Sequence, residues 1–210
     1  MIITFLGTGT SQGVPVIACQ CPVCKSLDYR DKRFRTSIHI QKNNKSFVID
    51  TGPDFRQQML RESINTLDAI IYTHEHKDHT AGMDDIRSYN FLQKKDMPIY
   101  GRSSVIDQLK REFSYVFEEK KYPGVPHVEV HLLDGNPFKI EGVKFIPIDT
   151  MHYKLPVYGF RIENFAYVTD TNFIAETEKE KLKNLDVLVL NALQKEPHIS
   201  HYNLEEALQV

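Results

Sequence analysis

The stretch Ala69-Ile70-Ile71-Tyr72-Thr73 runs without a break into His74-Glu75-His76-Lys77-Asp78-His79. The first half is a short apolar run of the kind found in a strand buried on both sides. The second half puts four metal-capable side chains, His74, His76, Asp78 and His79, into six positions. A helix would spread these groups around its circumference, so the spacing predicts a non-helical loop at the strand's carboxyl end. Such a loop can turn His74 and His76 toward one ion and Asp78 and His79 toward another. The bland alternative, a solvated histidine-rich loop, fits this density of ligands poorly.

Working outward, alternation and turn residues predict strands over residues 2–6, 37–41, 46–50, 68–72, 128–132, 143–148, 157–162, 165–169 and 187–190. The pair 37–41 and 46–50 reads as a hairpin across Lys42-Asn43-Asn44-Lys45. Thr51-Gly52-Pro53 opens a helix with Phe55, Met59 and Leu60 on one face. Further helices are expected over 83–94 and 103–120, and a last one from near Asn203. Many strands mixed with several helices point to a layered α/β fold. His152 falls in a loop after strand 143–148, and Asp170 ends strand 165–169. Both lie at carboxyl strand ends, where α/β sheets gather ligand groups. Asp170, with two carboxylate oxygens, can bridge two cations.

The chain has 210 residues, with Lys+Arg 26 against Asp+Glu 28 and a formal charge of −2. That length suits a single domain over residues 1–210, hiding roughly 70% of its unfolded surface without help from disulfides. The near-zero charge argues against long nucleic acid or an anionic membrane as partner. No apolar run approaches the ~18 residues of a membrane span, and the apolar start lacks the basic flank of a signal peptide. Cytoplasm is therefore the expected location. The three cysteines, Cys19, Cys21 and Cys24, form C-x-C-x-x-C. An odd, tight cluster in such a chain points to metal ligation, with three free thiols as the alternative. A closed zinc site takes four ligands, so one is missing locally.

The ordered set His74, His76, Asp78, His79, His152, Asp170 resembles the ligand set of the metallo-β-lactamase superfamily, as do Phe5-Leu6-Gly7-Thr8-Gly9 and Val48-Ile49-Asp50-Thr51-Gly52. The resemblance covers nearly the whole chain and implies a four-layer αβ/βα sandwich. It implies His74, His76 and His152 on one metal, Asp78 and His79 on a second, and Asp170 between them. Asp50 would be a buried carboxylate that orients a ligand imidazole. The cysteine cluster, with Gly7-Thr8-Gly9-Thr10-Ser11-Gln12-Gly13, is most similar to the phosphoribosyl cyclic phosphodiesterase (PhnP-like) branch. There, cysteines and a late histidine hold a structural zinc apart from the catalytic pair, and a histidine near the last helix is the general acid. His201 fits that position better than His198. His39, His127 and His131 fit no pattern.

The family also closes its second metal site with a histidine after the final helix, and the cysteine branch uses one more close behind it. Neither is present before Val210, so a chain shortened at its C-terminus, without its last strand, is expected. The reaction implied is hydrolysis of a small, possibly cyclic, phosphodiester. Two Zn²⁺ ions, or Mn²⁺, ~3.5–4 Å apart acidify a shared water for it. Rival readings are a thioester or other ester hydrolase on the same scaffold and a non-catalytic metal-binding protein. Oligomeric state stays open, a homodimer included.

Overall fold

Asn43 and Asn44 both take left-handed backbone (φ 53° and 60°), the geometry that a tight two-residue hairpin turn demands and asparagine tolerates. The turn joins β2 (Ser37–Lys42) to β3 (Lys45–Ile49), with Lys42 opposite Lys45. The computed structural model describes residues 1–210, which divide into two compact units, Met1–Leu132 and Leu133–Val210.

The first unit is built on one six-stranded sheet in the order β1-β2-β3-β4-β5-β6, adding β1 (Ile2–Gly7), β4 (Ala69–Ile71), β5 (Met97–Gly101) and β6 (Val128–Leu132). β1, β2 and β3 run antiparallel, and β3 through β6 parallel. Val48, Ile70 and Ile99 lie in register across three strands, so their side chains share one face. That face packs against Phe55 and Met59 of the helix Phe55–Arg61 and against Val105, Ile106 and Leu109 of the helix Ser103–Glu112. Each such buried side chain is worth about 1.5–3 kcal/mol.

The second unit has a sheet in the order β11-β8-β9-β10-β12, with β7 (Phe138–Ile140) paired to β8. Its strands are β8 (Val143–His152), β9 (Leu155–Ile162), β10 (Phe165–Val168), β11 (Phe173–Ile174) and β12 (Val187–Leu190). β8 and β9 form a long antiparallel hairpin, and β12 lies parallel to β10. Ile148, Ala166, Val168 and Ile174 form a small buried cluster with Leu190 and Tyr202 at its margin. No helix is long and apolar enough to cross a membrane.

Several expectations need correction. The helix expected over 83–94 is a 3₁₀ turn, Met83–Ile86, followed by the α-helix Arg87–Gln93. It stops where Lys94 turns left-handed (φ 52°), a common way for a helix to end. The helix expected over 103–120 breaks at Phe113, which leaves helical geometry and packs its ring on the core, and a short turn, Ser114–Phe117, follows. Leu60 is exposed, and Gln58 takes its place on the buried face. β8 runs four residues beyond the expected end and makes His152 its last residue, paired with Leu155, rather than part of a loop. β5 escapes sequence reading because Pro98 and Gly101 interrupt its alternation.

Candidate metal centre

In the first unit, β4 ends at Ile71 and the chain passes through Thr73 to His74. His76 then caps a helical turn, Lys77–Thr80, closed by the His79 amide donating to the His76 carbonyl (3.0 Å). The expected non-helical loop is therefore only half right. One turn of helix accommodates Asp78 and His79 because His74 and His76 are delivered by the extended residues before it.

Asp50, immediately after β3, is fully buried and left-handed (φ 66°). Its carboxylate accepts from the Thr73 amide (2.8 Å), the Thr73 hydroxyl (2.8 Å) and His79 Nδ1 (2.7 Å). Burial pushes its pKa up, while His79 and Thr73 pull it back in part. These bonds place the protons on the imidazoles. With Nδ1–H donated to Asp50, His79 presents Nε2 as a lone pair, 3.4 Å from Asp78 Oδ2. Thr73 has one hydroxyl proton and gives it to Asp50. Its oxygen must therefore accept from His74 Nδ1 (2.9 Å), which leaves His74 Nε2 as a lone pair, 3.1 Å from His76 Nδ1. His74 Nε2 meets His76 Nδ1 in a hydrogen bond and His79 Nε2 faces the Asp78 carboxylate, so four groups with ligand atoms lie side by side, and this donor set fits a metal.

The loop carrying Asp50 is tied to the ligand turn by Thr51 N to the His79 carbonyl (2.8 Å) and by Gly82 N to the Thr51 carbonyl (2.8 Å). Gly52 lies so close that a Cβ there would stand 2.1 Å from the Asp78 carbonyl oxygen. Gly52→Ala is expected to destabilise the protein by about 1–3 kcal/mol, as overpacking does, and to displace Asp78. Urea unfolding and metal titration check both effects.

In the second unit, β8 ends on His152, and Asp170 follows β10 two residues after Val168, with left-handed backbone (φ 49°). The metal-capable atoms of His152, Asp170 and His201 all lie within 4.8 Å of one another. His152 Nδ1 donates to the Ser200 carbonyl (2.7 Å), which leaves Nε2 as the nitrogen suited to a metal. Asp170 Oδ2 accepts from the Thr169 hydroxyl (3.0 Å), and Oδ1 lies 3.5 Å from His201 Nδ1. His198 is exposed and joins no ligand group, although its ring centre is 5.1 Å from that of His201. Asn203 caps the helix Leu204–Ala207, in a reciprocal box with Glu206.

The sulfurs of Cys19, Cys21 and Cys24 also converge within 4.8 Å. Cys21 caps the helical turn Pro22–Lys25, its sulfur accepting from the Cys24 amide (3.4 Å). That bond and the Cys19 thiol hold the Cys21 pKa below its ordinary value, toward the thiolate that binds metal. The Cys24 sulfur accepts from Val16 N (3.4 Å), and all three residues carry free thiols.

Sequence reasoning missed two contributors. Thr73 read as a strand-end residue, and the Ser200 carbonyl belongs to the backbone, which carries no sequence signal.

The sequence model of the beta-lactamase superfamily domain matches residues 45–210. The chain belongs to the β-lactamase superfamily. Its two sheets and flanking helices are those of the metallo-β-lactamase fold. The resemblance to the PhnP-like branch holds: a solved diphosphatase of the PhnP family is 40% identical, with a TM-score of 0.91, over 99% of this chain and 80% of that one. The short form of human tRNase Z shares the fold at 19% identity and a TM-score of 0.68, over 99% of this chain and 86% of that one. An octanoyltransferase of Porphyromonas gingivalis is 39% identical over 206 residues, 97% of this chain and 42% of that protein. This β-lactamase superfamily chain thus spans about two fifths of that relative's length.

Proposed function

We propose that the protein is a metal-dependent phosphodiesterase for a small, including cyclic, phosphodiester. The observation that carries this is the convergence of the ligand atoms of His152, Asp170 and His201 within 4.8 Å, together with the hydrogen bonds that occupy Nδ1 of His74, His79 and His152 and so assign Nε2 of each to ligation. The PhnP-family diphosphatase, 40% identical, supports phosphate ester chemistry. His74, His76 and His152 would hold one divalent ion, Asp78 and His79 a second, with Asp170 serving both. Zinc or manganese suits these nitrogen and oxygen donors, and the cysteine trio would hold a structural zinc. When bound, the paired ions would polarise the phosphoryl oxygens and acidify a water.

In the reaction the water oxygen bonds to phosphorus, and the bond from phosphorus to the leaving oxygen breaks. The leaving alkoxide takes a proton, which His201 supplies and the water restores. The products are a monoester and an alcohol, which stay joined in one hydroxyalkyl phosphate when the diester is cyclic. Asp170, 3.5 Å from His201 Nδ1, stabilises the protonated imidazole. A small substrate is favoured over long nucleic acid by the near-zero net charge, and two of the four cations in the Arg30–Arg35 stretch are paired, Arg30 with Asp28 and Arg35 with Asp54.

The test is turnover of bis(p-nitrophenyl) phosphate against p-nitrophenyl phosphate with Zn²⁺ or Mn²⁺ supplied. Diester cleavage without monoester cleavage is expected, and its absence from fully metal-loaded protein rejects the reading. On ethylene phosphate, whose leaving group is an alkoxide, His201→Ala is expected to slow turnover about 10²–10⁴-fold with metal content unchanged. Metal loss in that variant would remove His201 from the proton-donor role.

The octanoyltransferase relative favours a second reading, hydrolysis of an acyl thioester or other ester. Turnover of an octanoyl thioester in place of the diester would establish it. Full metal loading with no turnover of either substrate would mark a non-catalytic metal-binding protein.

A further inference from the structure

Two segments flank the cluster of His152, Asp170 and His201, and one side chain joins them. The first is the two-residue turn Tyr153-Lys154 that follows His152 and leads into β9. Tyr153 is held in left-handed backbone (φ 57°), a conformation that a bulky non-glycine residue keeps only where its surroundings impose it. The second is the loop His198-Ile199-Ser200-His201, with Ile199 exposed and no helix or strand within it. Asn172 Oδ1 accepts from the Tyr153 amide (2.8 Å), and Asn172 Nδ2 donates to the Ile199 carbonyl (3.1 Å). The Asn172 amide itself donates to the Met151 carbonyl (2.9 Å), which fixes the asparagine to β8.

On one side of Asn172, Asp170 belongs to the cluster; on the other begins β11, paired to β8 at Met151. Thr171 completes the frame. Its amide and carbonyl are clasped by the Asn191 side chain (2.9 and 3.0 Å), and its carbonyl also accepts from Tyr202 N (2.8 Å). Tyr202 is thus anchored on the C-terminal side of His201, and Asn172 anchors the loop two residues before it. His152 reaches the same loop through the Ser200 carbonyl.

We infer that Asn172 is a positioning residue for proton donation, setting His201 against Asp170 and His152 by tying the loop of residues 198–201 to the turn after His152. This rests on the reading of His201 as proton donor. Asn172 touches no reacting atom in this role. Its removal should lower kcat where the leaving group needs a proton and spare reactions where it does not. Misplacement by about 1 Å can cost 10²-fold.

The experiment compares wild type, Asn172→Ala and Asn172→Asp on two diesters, with metal content measured for each. On ethylene phosphate, Asn172→Ala is expected to lower kcat about 10- to 100-fold with KM unchanged. On bis(p-nitrophenyl) phosphate, whose leaving group is stable as an anion, kcat should stay within about threefold. Asn172→Asp keeps an acceptor for Tyr153 N but has no donor for the Ile199 carbonyl, so it should follow the alanine variant. Equal losses on both diesters, no loss on either, metal loss, or a fully active aspartate variant would each overturn the inference.

Hydrogen exchange supplies a readout independent of turnover. The Tyr153 amide and the amides of residues 198–201 should exchange faster in Asn172→Ala than in wild type, and unchanged exchange overturns the tie. Wild-type protein that cleaves neither diester would refute the phosphodiesterase reading instead, and exchange would still decide whether Asn172 holds the loop.

Discussion

Replacing Asp170 with alanine is expected to abolish diester hydrolysis, with a loss of about a thousandfold or more. The reason lies in its position among His152 and His201, all with ligand atoms within 4.8 Å. The side chain is asked to serve as an anionic ligand and also to face the Nδ1 of His201. Lewis-acid stabilisation of several kcal/mol depends on the ligand set, and each 1.4 kcal/mol is a factor of ten in rate. The measurement is bis(p-nitrophenyl) phosphate turnover alongside metal content. Asp170→Asn should restore packing and the bond from Thr169 without restoring the charge, and so should remain inactive. Turnover within tenfold of wild type in either variant would move the reaction away from this cluster.

Asp50→Ala should have the second large effect, on both stability and metal affinity. It would strand three buried donors at once: Thr73 N, the Thr73 hydroxyl and His79 Nδ1. A buried donor left without an acceptor costs about 1–3 kcal/mol, and loss of the group orienting a ligand histidine lowers metal affinity about 10–100-fold. Asp50→Asn separates the two effects. Its size is right and one oxygen still accepts from the Thr73 amide, but its NH₂ group meets the Thr73 hydroxyl and His79 Nδ1. That variant should melt closer to wild type than the alanine variant does, yet still bind metal weakly. Thermal unfolding and metal titration decide, and wild-type affinity in both variants would show that Asp50 does not set the imidazoles.

Much of the centre was legible in the sequence because ligand chemistry restricts residue type. His74, His76, Asp78 and His79 stand out by density, and His152 and Asp170 by their places at strand ends. A layered α/β class was readable because many strands, among them the uniformly apolar one carrying Ala69, are mixed with several helices, and the family resemblance supplied the αβ/βα sandwich. What stayed hidden depends on geometry rather than composition. Phe113 breaks its helix to reach the core, and a helical periodicity count cannot see this. The helical turn at Lys77–Thr80 is set by a backbone bond from His79 to His76, and the length of β8 by its pairing with β9. Asn172 carries no signal in the sequence because its worth lies in where its two bonds end.

The single hydroxyl proton of Thr73 bears on how substitutions at that position should be judged. Valine matches threonine in volume and β-branching, so a design that scores only shape and burial would accept it. The strand, the neighbouring packing and the backbone bond to Asp50 would persist, but His74 Nδ1 would lose its buried acceptor, a cost of about 1–3 kcal/mol. What would vanish is a piece of information: the rule specifying which nitrogen of His74 carries hydrogen. The centre therefore depends on a message passed from carboxylate to hydroxyl to imidazole, and that message is written in protons rather than in atoms a packing calculation counts.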